Sequence, residues 1–320
     1  SGVRKAILTD VHWLEYEIAV NKPGYVSFEA DADADALAGL DTGWRVDVWR
    51  ELPNGTTAKE MVAFVDELLW QFDARATVTI TASGLISLLG KRCVMWKANT
   101  NNRSAFTAAK AETIAKTLVS YNLGASATTA NGRVLNGAMT GFTVQADAAG
   151  GNTLDWFCEW ANLLDTLQEL AAVGGGDFDV VPVTGGYEFR WYAGQRGTDR
   201  TATQIFALER GNVASPRYLV STVDMKNAVV VGGKGEDAER VSAVVYASDY
   251  SAATQAEMFE NATDVETTDG LTDRGEIVLD ENKTVRSFTF DILQTEASNY
   301  GVEYVVGDLV KAINPFTDTA

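Results

Sequence analysis

A single histidine, His12, stands in 320 residues, and that scarcity removes more chemistry than any other feature of the chain. HExxH zinc sites and two-histidine facial triads each need a second histidine, so neither can be built. Nucleophile-histidine catalysis would rest on His12 with Cys93 or Cys158, the only two cysteines. Two cysteines in separate segments make no disulfide framework, and Cys158, set among apolar residues, reads as a small core side chain. Prolines number only five, while hydrophobic residues make up 46% and aromatics 10%, which excludes a disordered chain. No apolar run approaches the ~18 residues of a transmembrane helix, and SGVRKAILTDVHW lacks the apolar centre of a signal peptide. The expectation is a soluble chain made in a cytoplasm, without membrane insertion, and long enough for two or three domains.

Bases are short as well. Against 26 Lys and Arg stand 44 Asp and Glu, a net charge of −18. The deficit is local: residues 134–189 hold eight acids and no base, and residues 235–283 hold thirteen acids against three bases. The remainder is balanced, so no basic stripe exists to neutralise phosphates, and sequence-specific nucleic-acid binding is excluded. Two readings of the acidic segments stay open. They are a solvated surface, or a wall that repels phosphate and lets DNA slide past without adhering.

Strand signals fill the first hundred residues. Trp44–Trp49 alternates, the ProAsnGly turn at 53–55 leads to a second run at Met61–Val65, and Thr77–Thr81 alternates again. Leu85, Leu88 and Leu89 after Ser83 fit a short helix that would close a small barrel. The polar NTNNRS at 99–104 reads as a linker into a helix over about 105–121. From Thr153 one long amphipathic helix is expected, because Trp156, Trp160, Leu163, Leu167 and Leu170 follow helical spacing. Its polar face would carry Asp155, Glu159, Asn162, Asp165, Thr166 and Glu169, with like charges paired at i,i+4. A hairpin over Phe178–Tyr192 follows. Further strands are expected at 204–208, 218–223, 228–231, 241–247, 287–293 and 304–313, with a helix near 271–283.

Candidate chemistry is thin. AspAlaAspAlaAsp at 31–35 opens like a calcium loop but lacks Gly at the sixth position and Glu at the twelfth, Thr42, so a surface loop is expected. ValValValGlyGlyLysGly at 229–235 begins like a phosphate loop, yet Lys234 is followed by Gly235 and then by acids, so a glycine turn is expected. No carboxylate pair for glycoside hydrolysis is singled out. No catalytic, metal or cofactor site emerges.

The pieces resemble a family of tailed-bacteriophage proteins, the siphovirus tail hub or baseplate hub proteins of actinophage type. AsnLysProGly at 21 followed by TyrValSerPheGlu, AsnLeuLeuAspThrLeuGlnGluLeuAla at 162, TyrGluPheArgTrpTyr at 187, ValValValGlyGlyLysGly at 229, AspArgGlyGlu at 273 and TyrGlyValGluTyrValValGlyAspLeuVal at 300 carry the resemblance. The residues it marks as structural motif positions are Pro23, Gly24, Asn162, Leu163, Leu164, Leu167, Glu169, Leu170, Gly232, Gly233, Gly235, Gly301, Tyr304, Gly307 and Asp308. The resemblance implies an α+β, mostly β fold with two tube-type β-barrel domains, residues 1–98 and 201–320, flanking a helix-containing middle domain, residues 99–200. It also implies a homotrimer forming a pseudo-hexameric ring that passes DNA at the virion tail tip. The implied partners are the distal tail protein, the tape measure protein and a tail fibre or spike. Trp156PheCysGlu and the base-free segment depart from the family in being more aromatic and acidic. A tail-associated hydrolase and a carbohydrate-binding surface module are the competing classes.

Overall fold

The computed structural model describes residues 6–96, 103–236, 239–263 and 265–317. Most of the linker expected at 99–104 lies outside them. The described chain is mostly β, and its contacts divide it into two compact units, the first running to Gln204 and including Glu296–Lys311, the second comprising Ile205–Thr295 and the residues from Ala312.

In the first unit, β1 (Trp13–Glu17), β2 (Tyr25–Asp31), β3 (Arg45–Glu51), β4 (Thr57–Phe72) and β5 (Ala76–Gly84) form an antiparallel sheet in the order β1-β2-β5-β4-β3. Strand alternation buries Val26, Phe28 and Ala30 of β2 with Val78, Ile80 and Ala82 of β5, and turns Thr77, Thr79 and Thr81 to the opposite face. Both β1 and β3 remain edges, so the sheet does not close on itself within one chain, where the sequence suggested a small barrel.

Next come α1 (Ser87–Gly90), β6 (Ser104–Lys110), α2 (Ala111–Asn122), β7 (Phe142–Val144), β8 (Thr153–Cys158), α3 (Leu163–Gly174), β9 (Gly176–Val183) and β10 (Gly186–Ala193). Both long helices of this unit begin later than periodicity predicts. Thr153–Cys158 is a strand paired with β6, where Leu154, Trp156 and Cys158 alternate with Thr153, Asp155 and Phe157. The expected Asp155/Glu159 helical pair therefore does not form. Instead the Ala108 amide donates to Asp155 Oδ1 at 2.6 Å, satisfying a bulge where Ala108 takes φ +46°. Trp160 at φ +54° ends any helical path, and Asn162 caps the true helix by accepting from the Leu164 amide at 2.9 Å. Leu163, Leu167 and Leu170 then bury fully against Ile114 and Leu118 of α2 and Phe178 and Phe189 of the β9-β10 hairpin. Thr166, expected on the polar face, is buried and donates its hydroxyl to the Asn162 carbonyl.

The second unit contains β11 (Ile205–Phe206), β12 (Val213–Ser221), β13 (Ala228–Gly232), β14 (Ser242–Tyr246), β15 (Glu257–Asn261), α4 (Thr268–Glu281), β16 (Val285–Ile292) and the short β17 (Lys311–Ala312), which pairs with β11. β12 and β16 make a two-stranded antiparallel ribbon, and β14-β13-β15 make a three-stranded sheet in which β15 runs parallel to β13. α4 starts at Thr267, whose hydroxyl accepts from the Gly270 amide, and it buries Leu271, Val278 and Leu279 on that sheet. The strand expected over 304–313 shrinks to Lys311–Ala312. Gly301 at φ +86° and Gly307 at φ +102° turn the preceding residues instead.

Candidate functional site

Two of the sequence motifs prove to be stitches between distant segments, and a third is a turn braced from within. At the AsnLysProGly turn, Asn21 sits at φ +58°, its side chain donating to Asp177 Oδ1 at 3.0 Å and accepting from the Phe178 amide at 2.7 Å. Gln168 of α3 donates to the Asn21 carbonyl at 2.8 Å. Pro23 and Gly24 shape this turn so tightly that a Cβ on Gly24, at φ +61°, would lie 2.3 Å from the Glu17 carbonyl oxygen. The first sheet is thereby tied to α3 and β9.

The second stitch uses the C-terminal motif. Asp308, its carboxylate almost fully buried, accepts from the Thr198 amide at 2.7 Å, the Val305 amide at 3.0 Å and Arg200 Nε at 2.7 Å. Burial pushes this carboxyl up, but those donors outweigh it and hold Asp308 below the usual carboxylate range. Tyr300 and the buried Tyr304 pack edge to face at 5.6 Å, and the Arg50 guanidinium lies 4.8 Å from the Tyr300 ring centre while donating to the Tyr300 carbonyl.

The third is the glycine loop after β13. Arg240 donates to the carbonyls of Gly232 and Gly233, filling the space where a phosphate would have to sit, and a Cβ on Gly232 would strike its guanidinium. Gly235, at φ +110°, completes the turn. Among the remaining motif residues, Leu164 is partly buried beside the α3 core positions Leu163, Leu167 and Leu170, and Glu169 lies on the same helix.

A cleft in the first unit is lined by Glu17, Lys22, Lys59, Glu60, Asp179 and Arg196. Four of these charges are held in ion pairs: Arg196 with Asp179 of the same lining at 3.2 Å, Glu60 with the neighbouring Arg50 at 2.9 Å, and Lys59 with the neighbouring Asp47 at 2.7 Å. Burial raises the Asp179 carboxyl against the pull of Arg196, and burial followed by Glu60 pushes the Tyr300 phenol up to about 12, where it stays protonated at neutral pH. His12 is likewise committed, with Nδ1 2.9 Å from Glu29 and Nε2 3.1 Å from Asp31, the residue that opens the supposed calcium loop. Cys158 has its thiol pushed up to about 12 by burial, the opposite of what a nucleophile needs.

What this unit offers to solvent is surface. β4 runs well past the core, leaving Leu69, Trp70 and Phe72 exposed, the last by 83%, and Trp13 and Leu14 are exposed on the β1 edge. The outward face of the sheet carries a row of Glu15, Ser27, Thr81 and Glu67 in register across four strands. The signal for the β4 extension was present in the sequence, since Leu68, Leu69, Trp70 and Phe72 prolong the run from Met61 without a Gly or Pro. The acids of residues 134–189 are in part engaged by other residues of the unit: Asp147 with Thr113, Asp155 with Ala108, Asp177 with Asn21, and Asp179 with Arg196.

A family model described as Siphovirus ReqiPepy6 Gp37-like protein matches residues 6–320. No curated protein matches the sequence. Among solved structures, the 43 kDa tail protein of prophage MuSo2 from Shewanella oneidensis is similar with a TM-score of 0.56 at 14% identity, covering 97% of this chain and 90% of that one. Prophage tail protein gp18 from Listeria monocytogenes gives 0.51 at 12% identity over 94% and 80%. The tail protein from Neisseria meningitidis gives 0.52 at 9% over 93% and 81%. At these identities the likeness is one of fold.

Proposed function

Because the chain belongs to the Siphovirus ReqiPepy6 Gp37-like family of tail proteins, we propose that it is a structural hub of the phage tail tip or baseplate. In this reading three copies form a pseudo-hexameric ring, residues 1–98 and 201–320 supply the two tube-type β domains of each copy, and residues 99–200 form the middle domain. The ring joins the tail tube and distal tail protein, near the end of the tape measure protein, to the fibre or spike. It is made in the cytoplasm of the bacterial host and works in the virion.

The observation that carries the reading is the family match along residues 6–320, joined to an open first sheet whose edges and apolar extension are left uncovered. An open edge offers unpaired backbone groups to a neighbouring chain, and exposed Trp70 and Phe72 supply the kind of aromatic anchors that obligate interfaces bury. The Glu15-Ser27-Thr81-Glu67 row suits a channel wall, because anionic and hydroxyl groups on a stiff sheet repel phosphate and give DNA nothing to grip. The role asks for interfaces and not for a reactive centre, in keeping with a cleft in which Glu60, Lys59, Asp179 and Arg196 are all held in ion pairs.

Light scattering across a concentration series, followed by imaging, tests the proposal. Three chains of 34.5 kDa should give a particle of about 103 kDa with a central opening. A protein that stays monomeric alone and in the presence of the distal tail protein would refute it.

A further inference from the structure

The ring of His12, the one histidine of the chain, meets three charged groups with two nitrogens. His12 stands just before β1, where its amide donates to the Glu29 carbonyl at 2.8 Å and where the segment that packs Leu8 and Val11 on the first core joins the sheet. Its Nε2 lies 3.1 Å from Asp31 Oδ1. Its Nδ1 lies both 2.9 Å from Glu29 Oε1 and 3.1 Å from Nη2 of Arg75, in the turn between β4 and β5. Arg75 Nη1 stands 3.8 Å from Asp31 Oδ1. Among the described residues, Glu29 and Asp31 of β2 and Arg75 of that turn are the charged groups within reach of the ring.

The two partners of Nδ1 exclude each other. A carboxylate only accepts a hydrogen bond and a guanidinium only donates one, so Glu29 requires a proton on Nδ1 and Arg75 requires its lone pair. Nε2 faces a carboxylate alone and needs a proton in either case. The imidazolium, protonated on both nitrogens, serves Glu29 and Asp31 together and leaves Arg75 to Asp31. The neutral ring has one proton to place. On Nε2 it keeps Asp31, opens Nδ1 to Arg75 and loses only Glu29. On Nδ1 it keeps Glu29, but then a bare Nε2 faces the Asp31 carboxylate and an N–H faces the guanidinium. Two mismatches against one select the Nε2–H tautomer.

We propose that His12 is a proton switch that exchanges Glu29 for Arg75. Protonated, it bridges Glu29 and Asp31. When the Nδ1 proton leaves to solvent, Nε2 keeps Asp31, Nδ1 accepts from the Arg75 guanidinium, and Glu29 is released. An imidazole ordinarily makes this change between about pH 5 and 8, a range that no other side chain here spans without perturbation. The released group has a defined place: register sets Glu29 beside Trp13, Thr79 and Leu69 on the outward face of the first sheet, one row from Glu15-Ser27-Thr81-Glu67. Loss of one proton thus adds a free carboxylate to a face that already carries Glu15 and Glu67, and it draws the β4-β5 turn to the entry of β1.

The test uses the full chain, isotope-labelled at the histidine ring nitrogens. A single histidine gives a single pair of signals, whose shifts from about pH 5 to 9 report both charge and tautomer. Above the transition Nε2 should be the protonated nitrogen and Nδ1 the bare one. Glu29→Gln keeps the shape of the side chain and removes an anion that favours the imidazolium, so it should move the midpoint down by about half a pH unit or more. Arg75→Gln, at an exposed position, removes a cation that opposes the imidazolium and should move it up by about as much. A neutral ring protonated at Nδ1, a ring that keeps one charge state throughout, or a midpoint that the two substitutions leave in place or move in the same direction overturns the proposal. The tautomer is read in the parent protein, so a variant that fails to fold does not remove the test. All four groups belong to one chain, and the outcome is independent of the hub reading.

Discussion

Removing the carboxylate of Glu112 should destabilise the first unit by about 3 to 5 kcal/mol, the usual cost of leaving one partner of a buried ion pair behind. Glu112 and Lys116 lie one turn apart on α2, each side chain only 5% exposed, with the ammonium donating to the carboxylate. The carboxylate also accepts from the amides of Ala148 at 3.1 Å and Gly150 at 2.7 Å, while the ammonium reaches the Ala146 carbonyl at 2.6 Å and Gln145 Oε1 at 3.3 Å. The pair thus fastens the 145–150 loop to the helix. Glu112→Ala leaves the buried ammonium without its counter-ion and the Ala148 and Gly150 amides without their acceptor. Lys116→Met leaves the carboxylate its two amide donors and should cost less, about 2 to 3 kcal/mol. The double variant Glu112→Ala/Lys116→Met should fall short of the sum by about 1 to 3 kcal/mol, the coupling expected of groups in contact.

Burial pushes the Glu112 carboxyl up, but Lys116 and the two amides outweigh it and hold it below the usual range. A folded value below the unfolded one means that this stability is present above the unfolded value of about 4.3 and disappears as pH falls through the folded value. Parent and Glu112→Ala should therefore converge in acid. Hydrogen exchange of the α2 amides is the suitable assay, because it reads this unit separately from the other. A Glu112→Ala cost below about 1 kcal/mol, or one smaller than that of Lys116→Met, would refute the reasoning.

Other expectations follow from single residues. Gly24→Ala should cost more than about 2 kcal/mol, since φ +61° and a carbonyl oxygen 2.3 Å from the new Cβ leave it no unstrained position; an unchanged melting temperature would contradict this. Asp308→Ala should cost about 2 to 3 kcal/mol and open residues 196–200 to proteolysis, because three donors lose one acceptor; equal protease resistance in parent and variant would count against it. Cys158, with its thiol near 12, should alkylate at pH 8 only after unfolding, and labelling at the rate of a free thiol in the native protein would show that its burial is misjudged.

Much of the strand content was legible because alternation survives in sequence: Thr77–Thr81 and Phe178–Tyr192 fold as read. The start of α3 was not legible, because Trp156, Trp160 and Leu163 satisfy helical spacing while Leu154, Trp156 and Cys158 satisfy alternation. The choice between them is made by pairing with β6, some fifty residues earlier, and by the left-handed backbone at Trp160. The resemblance marked Gly24 and Asp308 as structural, but not the work that they do: Asn21 meets Asp177 across 156 residues and Asp308 meets Arg200 across 108, separations at which no local pattern speaks. The row of Glu15, Ser27, Thr81 and Glu67 was hidden for a related reason. Its members belong to four strands, and only the register puts them side by side.

The route of the chain, out of the first unit at Gln204 and back into it at Glu296, sets a timetable for synthesis. Arg200 leaves the ribosome 108 residues before Asp308, a delay of roughly 5 to 20 s at about 5 to 20 residues per second. Throughout that interval Arg50 and Arg200 wait without the segment that binds them, while residues 205–295 of the second unit emerge. The part translated earliest is therefore completed only after residues 205–295 of the second unit have emerged, and any product released before Asp308 lacks the strap that closes it. Such a chain would present a half-finished first unit to any protease it meets, so resistance to digestion depends on translation through Asp308.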